Sequence, residues 1–216
     1  SWVSGYKARE TGLLMSDTAI SHYLESTRDR PTREDLKFAV SRIDGARAAI
    51  DCGCGAGADI SYLLDSGFRV YAFDVDDQAL SVCQGRFKGS KNVVLSKASF
   101  ETFDYPAASL VVADASLFFC PPDHFNTVWD NIFECLLPGG IFCGSLLGRE
   151  DTMAQAGDNP SVFWSHVSAF DQSEVEGLLK PYEVLRFKVH RSGGKTAGGV
   201  PHDWHIFQIV ARKPAS

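Results

Sequence analysis

The sequence lacks the features that would tie it to a membrane, a nucleic acid or an oxidising compartment. No run approaches the ~18 consecutive apolar residues of a membrane-spanning helix, and its most apolar stretch, residues 110–120, carries Asp114 in its middle. Clustered Lys and Arg are missing too. Lys and Arg number 21 against 27 Asp and Glu, a formal net charge of −6, so the chain has no basic stripe to follow a phosphate backbone. There is no CxxC pair of the zinc or thioredoxin kind, and the six cysteines fall mostly in apolar runs, which predicts reduced thiols and no metal centre. Cys52-Gly53-Cys54 is too tight for an easy disulfide or for chelation. The opening SWVSGYKARE has no basic-then-apolar signal order, so a cytoplasmic location is expected.

What is present is an ordinary globular composition, with 44% hydrophobic and 22% charged residues over 216 positions, enough for one large domain. Thr32-Arg33-Glu34-Asp35 behind Pro31 predicts a capped helix over 32–43. Short Val-, Ile- and Phe-rich runs then alternate with helical patterns. The expected elements are strand 46–51, helix 57–66, strand 68–74, helix 77–87, strands 92–96 and 109–115, helix 122–137 and strand 140–147. Such alternation predicts a parallel sheet covered by helices. After a helix capped by Asp171, strands 182–191 and 204–212 are joined by the glycine-rich segment 192–203 and should pair antiparallel. Residues 1–44 read as a helical cap forming one unit with residues 45–216, and the unpatterned stretch 148–162 reads as a lid or substrate loop.

Ala49-Ile50-Asp51-Cys52-Gly53-Cys54-Gly55-Ala56-Gly57 runs from a strand end into a helix, where glycines permit positive φ and close approach of a ligand. The glycines alone fit either a nicotinamide dinucleotide or S-adenosylmethionine. Asp51 argues for the second, because a carboxylate there repels a pyrophosphate but suits the cationic methionine end. Asp74 ends the next strand, where a carboxylate takes two ribose hydroxyls. The reversed hairpin, and Leu137-Pro138-Gly139-Gly140 before a strand, point the same way.

On these residues the chain, over about residues 22–212, resembles the class I S-adenosylmethionine-dependent methyltransferases. Tyr23 with Arg30-Pro31, the turn Ala98-Ser99-Phe100-Glu101, residues 115–122 and Trp204-His205 are similar to the bacterial tellurite-resistance-like small-molecule branch. The resemblance implies a Rossmann-like three-layer sandwich, with a seven-stranded, mostly parallel sheet ordered 3-2-1-4-5-7-6 and strand 7 reversed. It implies that Gly53, Gly55 and Gly57, with Cys54 between them, line the methionine and ribose, that Asp74 binds ribose and that Val75 packs on adenine. Ser99 and Phe100 stand where the family often has Asp and its neighbour at the adenine amino group, so Ser99 is a departure.

Methyl transfer from an activated sulfonium is mostly a matter of proximity and orientation, with a base needed only when the acceptor carries a proton. Asp114 and Ala115 end a strand on the cofactor side; Asp114 either orients the acceptor or the methionine ammonium, or caps the next turn. His205, at the start of the returning strand beside Trp204, is the first candidate for acceptor contact, against a histidine bonded only to backbone. Lys195, His202 and Asp203 share that loop. Trp2, Tyr6, Tyr23 and Arg30 form a candidate flap, with Arg30 pairing the cofactor carboxylate, and Phe118, Phe119 and Cys120 a candidate apolar wall. The expected function is methyl transfer to a small-molecule acceptor, with no nucleic acid or membrane as partner. A catalytically silent S-adenosylmethionine-binding module and a nicotinamide oxidoreductase are the alternatives.

Overall fold

The computed structural model describes residues 17–155, 166–195 and 199–216. Trp2 and Tyr6 lie outside them. The described strands are β1 (Ala48–Cys52), β2 (Arg69–Asp74), β3 (Val93–Lys97), β4 (Ala108–Ala113), β5 (Leu136–Gly148), β6 (Ala169–Phe170), β7 (Glu183–Lys195) and β8 (Pro201–Arg212). The helices are α1 (Asp17–Thr27), α2 (Glu34–Ser41), α3 (Ala58–Asp65), α4 (Asp77–Arg86), α5 (Phe125–Cys135) and α6 (Gln172–Leu178).

The sheet order is β3-β2-β1-β4-β5-β8-β7, with the two-residue β6 paired to β5. β8 runs antiparallel to both β5 and β7, so the sheet is parallel except for one reversed strand, as the sequence predicts. Every residue of β4 is buried, as expected of a central strand covered on both faces. Leu36, Ala39 and Val40 of α2 pack with Ile60 and Leu63 of α3 on one face. Phe125, Trp129 and Ile132 of α5 with Val175 of α6 pack on the other. Edge strand β7 is largely exposed and carries Glu183, Arg186, Lys188 and Arg191, charges that discourage pairing with another chain.

Several boundaries differ from expectation. Arg33, not Thr32, is the N-cap of α2, and no side chain caps the helix there. β4 ends at Ala113 because Ala115 has a positive φ of 45°, which turns the chain at the sheet edge. The loop expected over 192–203 is mostly strand: pairing continues to Gly193↔Asp203, Gly194↔His202 and Lys195↔Pro201. Residues 149–155 are not a loose loop either. Asp151, 1% exposed, accepts the N–H of Met153 at 3.0 Å and caps the short 3-10 turn Thr152–Ala154. No helix among the described residues is long and apolar enough to cross a membrane.

Candidate active site

The glycine turn is set by its neighbours. Gly53, Gly55 and Gly57 all take positive φ, at 69°, 54° and 87°. The N–H groups of Gly53 and Cys54 both donate to the Phe73 carbonyl, at 2.9 and 3.1 Å, which ties the turn to the end of β2. A Cβ on Gly57 would stand 2.6 Å from the Phe87 ring and 3.1 Å from Cys83 Sγ, so this glycine is needed for packing as well as for φ. The Cys83 thiol donates to the Gly55 carbonyl at 3.2 Å. A hydrogen bond with Cys83 and then burial push the Cys54 thiol well up, making it an inert filler.

Asp74 is 3% exposed. Its carboxylate accepts from Gly55 N–H at 3.0 Å and from Asp76 N–H at 3.1 Å, so it is fixed at the lip of the turn.

Two clefts meet at Gly53. One, about 430 Å³, has Phe73, Val75, Ala98, Phe100 and Phe119 as apolar wall, with Asp74, Ser99, Glu101 and Ser116 as its polar groups. Ser99 Oγ donates to Glu101 Oε2 at 2.8 Å, so a carboxylate is presented beside the position where the family often has Asp. The other, about 470 Å³, is polar and is lined by Tyr23, Thr27, Arg30, Asp51, Cys54, Asp59 and Asp114 around the turn.

The polar cleft contains an ion network that the sequence reading did not see. Arg30 Nη2 and Arg33 Nη2 reach Asp59 Oδ2 at 3.0 and 3.1 Å, and Arg33 Nε reaches Asp114 Oδ2 at 3.1 Å. Burial alone would lower the Arg33 pKa, but the Asp114 and Asp59 carboxylates raise it, and the cation is permanent. Burial pushes the Asp59 carboxyl up, yet Arg33 and Arg30 outweigh it and hold the group below the usual carboxylate range. For Asp114 burial prevails over Arg33 and the pKa is raised. Arg33 was legible only as a helix-start residue, and Asp59 only as the second residue after the last glycine.

α1 and the residues that follow it are held against the glycine turn by packing and by Arg86. Leu24 of α1 packs on Ala56 and Ala79. Arg86 Nη1 donates to the Arg28 carbonyl at 2.6 Å and to that of Ala56 at 3.0 Å, strapping the end of α1 to the glycine turn. This brings Tyr23, Thr27 and Arg30 to the polar cleft.

Of the expected cofactor residues, Tyr23, Arg30, Asp51, Gly53, Cys54, Asp74, Val75, Ser99 and Phe100 line the two clefts, as does Asp114. Gly55 and Gly57 shape the turn, and Ala115 forms the buried corner after β4, its N–H donating to Ser145 Oγ at 2.7 Å. His205 is placed differently from its expected position over the methyl group. Alternation along β8 puts it on the opposite face from Trp204 and His202. Its ring occupies the space above Gly148, and Nδ1 accepts the Glu150 N–H at 3.2 Å. It lines neither cleft. Burial and then Arg191 lower its pKa, which favours the neutral ring.

The sequence profile of a methyltransferase domain matches residues 49–140. No curated protein matches the chain. Among solved structures it is similar to TehB from Haemophilus influenzae, at 16% identity and TM-score 0.71, over 89% of this chain and 66% of that one. It thus spans just under two thirds of TehB. The 1,6-didemethyltoxoflavin-N1-methyltransferase of Burkholderia thailandensis, solved with its substrate and S-adenosylhomocysteine, is 18% identical with TM-score 0.61, covering 95% of this chain and 93% of that one. The N-methyltransferase NodS from Bradyrhizobium japonicum WM9, with S-adenosylhomocysteine, is 18% identical with TM-score 0.60, covering 90% and 98%. Residues 49–140 thus match a methyltransferase domain, and the chain as a whole shares its fold with these methyltransferase structures.

Proposed function

We propose that the protein binds S-adenosylmethionine across the two clefts and transfers its methyl group to a small molecule. The observation that carries this reading is the meeting, at Gly53, of an apolar cleft edged by Asp74 with a polar cleft of acids and arginines. A ligand with a flat apolar base, a ribose and a zwitterionic head has the matching sequence of chemistry. Asp74 takes the ribose hydroxyls, Val75 and Phe100 flank the adenine, and Glu101, steadied by Ser99, accepts from its amino group. In the polar cleft Arg30, bonded among the described residues to Asp59, takes the carboxylate with its remaining donors, while Asp51 and Asp114 attract the ammonium. The cofactor supplies a methyl group already activated on a sulfonium. The protein's task is then to hold the sulfur and the acceptor in line, an advantage that well-oriented reactions show can be worth roughly 7–11 kcal/mol.

A small acceptor is favoured because the chain is acidic, with 27 Asp and Glu against 21 Lys and Arg, and has no basic stripe for a nucleic acid. Calorimetric titration with S-adenosylhomocysteine and with NADH tests the donor. Binding of the first and not the second is expected, and the reverse would overturn the reading. Transfer of labelled methyl to bulk RNA, DNA or protein, with none to small acceptors, would overturn the acceptor class.

A further inference from the structure

On one face of the β7–β8 hairpin, two buried polar atoms have no hydrogen-bond partner among the described residues: His202 Nδ1 and Trp204 Nε1. Leaving such an atom unsatisfied costs about 1–3 kcal/mol, so each calls for a ligand or a role. The other nitrogen of His202 is committed, with Nε2 2.9 Å from Asp151 Oδ1. Asp151 is itself fixed, accepting Met153 N–H through Oδ1 at 3.0 Å and His205 N–H through Oδ2 at 2.9 Å. An ionised carboxylate only accepts, so Nε2 carries the proton and Nδ1 the lone pair. This is a histidine oriented as a base by a carboxylate.

The location suits an acceptor. Across the antiparallel pair, His202 lies opposite Gly194, Trp204 opposite Ser192 and Ile206 opposite His190, so these side chains share a face. Gly194 leaves room for the Trp204 ring, which lies 4.7 Å from that of His202. Trp204 and Ile206 pack with Phe119 in one apolar cluster, and Phe119 is also a wall of the cleft edged by Asp74. The packed cluster of Phe119, Trp204 and Ile206 therefore joins the wall of that cleft to the buried His202 ring. On the same face His190 is engaged with Ser192 Oγ at 3.0 Å, and exposed Lys188 lies further along β7. His205 and Arg191 lie on the opposite face, where Arg191 pairs with Glu150. Asp114 is already ion-paired with Arg33 and is poorly placed to collect a proton.

We propose that His202 is the general base of the transfer and that Asp151 is its positioning residue. The acceptor is then a neutral molecule with a dissociable N–H or O–H, such as a phenol or a heteroaromatic N–H. His202 Nδ1 takes the acceptor's proton as the new N–C or O–C bond forms and the methyl–sulfur bond breaks, its electron pair passing to sulfur. The products are methylated acceptor, neutral thioether and a proton held on His202 beside Asp151. This rests on the reading of the protein as a methyltransferase.

The test has two arms. Nitrogen-15 NMR of the ring should show a protonated Nε2 and a bare Nδ1 in wild-type protein; a protonated Nδ1 in the neutral ring overturns the proposal. His202→Asn should keep its affinity for S-adenosylhomocysteine and lose about 10²-fold or more in transfer to phenols and heteroaromatic N–H acceptors. It should also lose the acid limb of the pH profile, while transfer to thiols, which ionise unaided, is spared. The isosteric Asp151→Asn should lower the same rates less and shift that limb. Wild-type turnover in His202→Asn, an equal loss with thiols, or a wild-type protein that binds S-adenosylhomocysteine yet methylates no N–H or O–H acceptor would each overturn it. Failure of wild-type protein to bind S-adenosylhomocysteine would instead strike the donor reading beneath it.

Discussion

Ser145 Oγ accepts the N–H of Ala115 at 2.7 Å, and Ala115 is the one non-glycine residue among those described with a positive φ. The left-handed conformation costs about 1–2 kcal/mol for a residue with a Cβ, and the Ser145 hydroxyl holds it in place. The turn it makes separates Asp114, which lines the polar cleft, from Ser116, which lines the apolar one. Ser145→Ala removes the acceptor for a buried N–H and should lower stability by about 1–3 kcal/mol, read by denaturant unfolding. S-adenosylhomocysteine affinity should fall with it. Unchanged stability and affinity would show that the corner holds itself.

Asp74→Ala should weaken S-adenosylhomocysteine by roughly 30- to 150-fold, as expected for loss of about 2–3 kcal/mol of hydrogen bonding to the two ribose hydroxyls. The variant also removes the acceptor for the Gly55 and Asp76 N–H groups, so Asp74→Asn, which keeps one oxygen, should lose less. Equal affinity in all three proteins would remove Asp74 from the site.

The ion network predicts a pH dependence of binding. Burial raises the Asp114 pKa, so as pH falls its carboxyl takes up a proton before an ordinary carboxyl does, and its hold on an ammonium is lost. Asp59, depressed by Arg33 and Arg30 against the push of burial, stays ionised to lower pH. Its pairing stabilises the fold above its unfolded pKa and is lost as pH falls through the lower folded one. S-adenosylhomocysteine should therefore bind more weakly as pH drops toward the raised Asp114 value. 5′-Methylthioadenosine, which lacks the amino-acid head, should not. Arg33→Met should lower affinity for the first by roughly 10- to 150-fold and leave the second unchanged, since charged hydrogen bonds are worth about 1.5–3 kcal/mol. Parallel losses for both ligands would mean a collapsed turn and not a lost charge.

Gly57→Ala should cost about 1–3 kcal/mol or more from overpacking, because its Cβ meets Phe87 and Cys83 at positive φ. A double variant with Phe87→Leu should recover part of that loss, and thermal melting measures both. No recovery would place the whole penalty in the backbone.

The sheet was legible because strand and helix periods differ, and the reversed hairpin because 12 residues of glycine-rich chain, 192–203, cannot make a helical crossover. The glycine turn and the place of Asp74 at its lip were legible because both depend on backbone conformation and strand ends, which sequence spacing records. The strand content of 192–195 was hidden by Gly193 and Gly194, residues of low strand propensity that are kept there by pairing with Asp203 and His202. Arg33, Asp59 and Ser145 were hidden for another reason. They act through partners 26 to 81 positions away, and nothing local marks them. His205 was misplaced by a single residue of strand alternation, which decides which face of β8 a side chain occupies.

Gly148 and His205 also bear on how this chain can diverge. A Cβ at 148 would collide with the imidazole of His205, so a side chain at 148 requires a smaller residue at 205 while the hairpin keeps its register. The two should be inherited as a pair, with relatives that carry a side chain at 148 having a small residue at 205. His202 faces away from both, so the residue assigned to proton transfer can vary with the acceptor while the brace behind it is preserved.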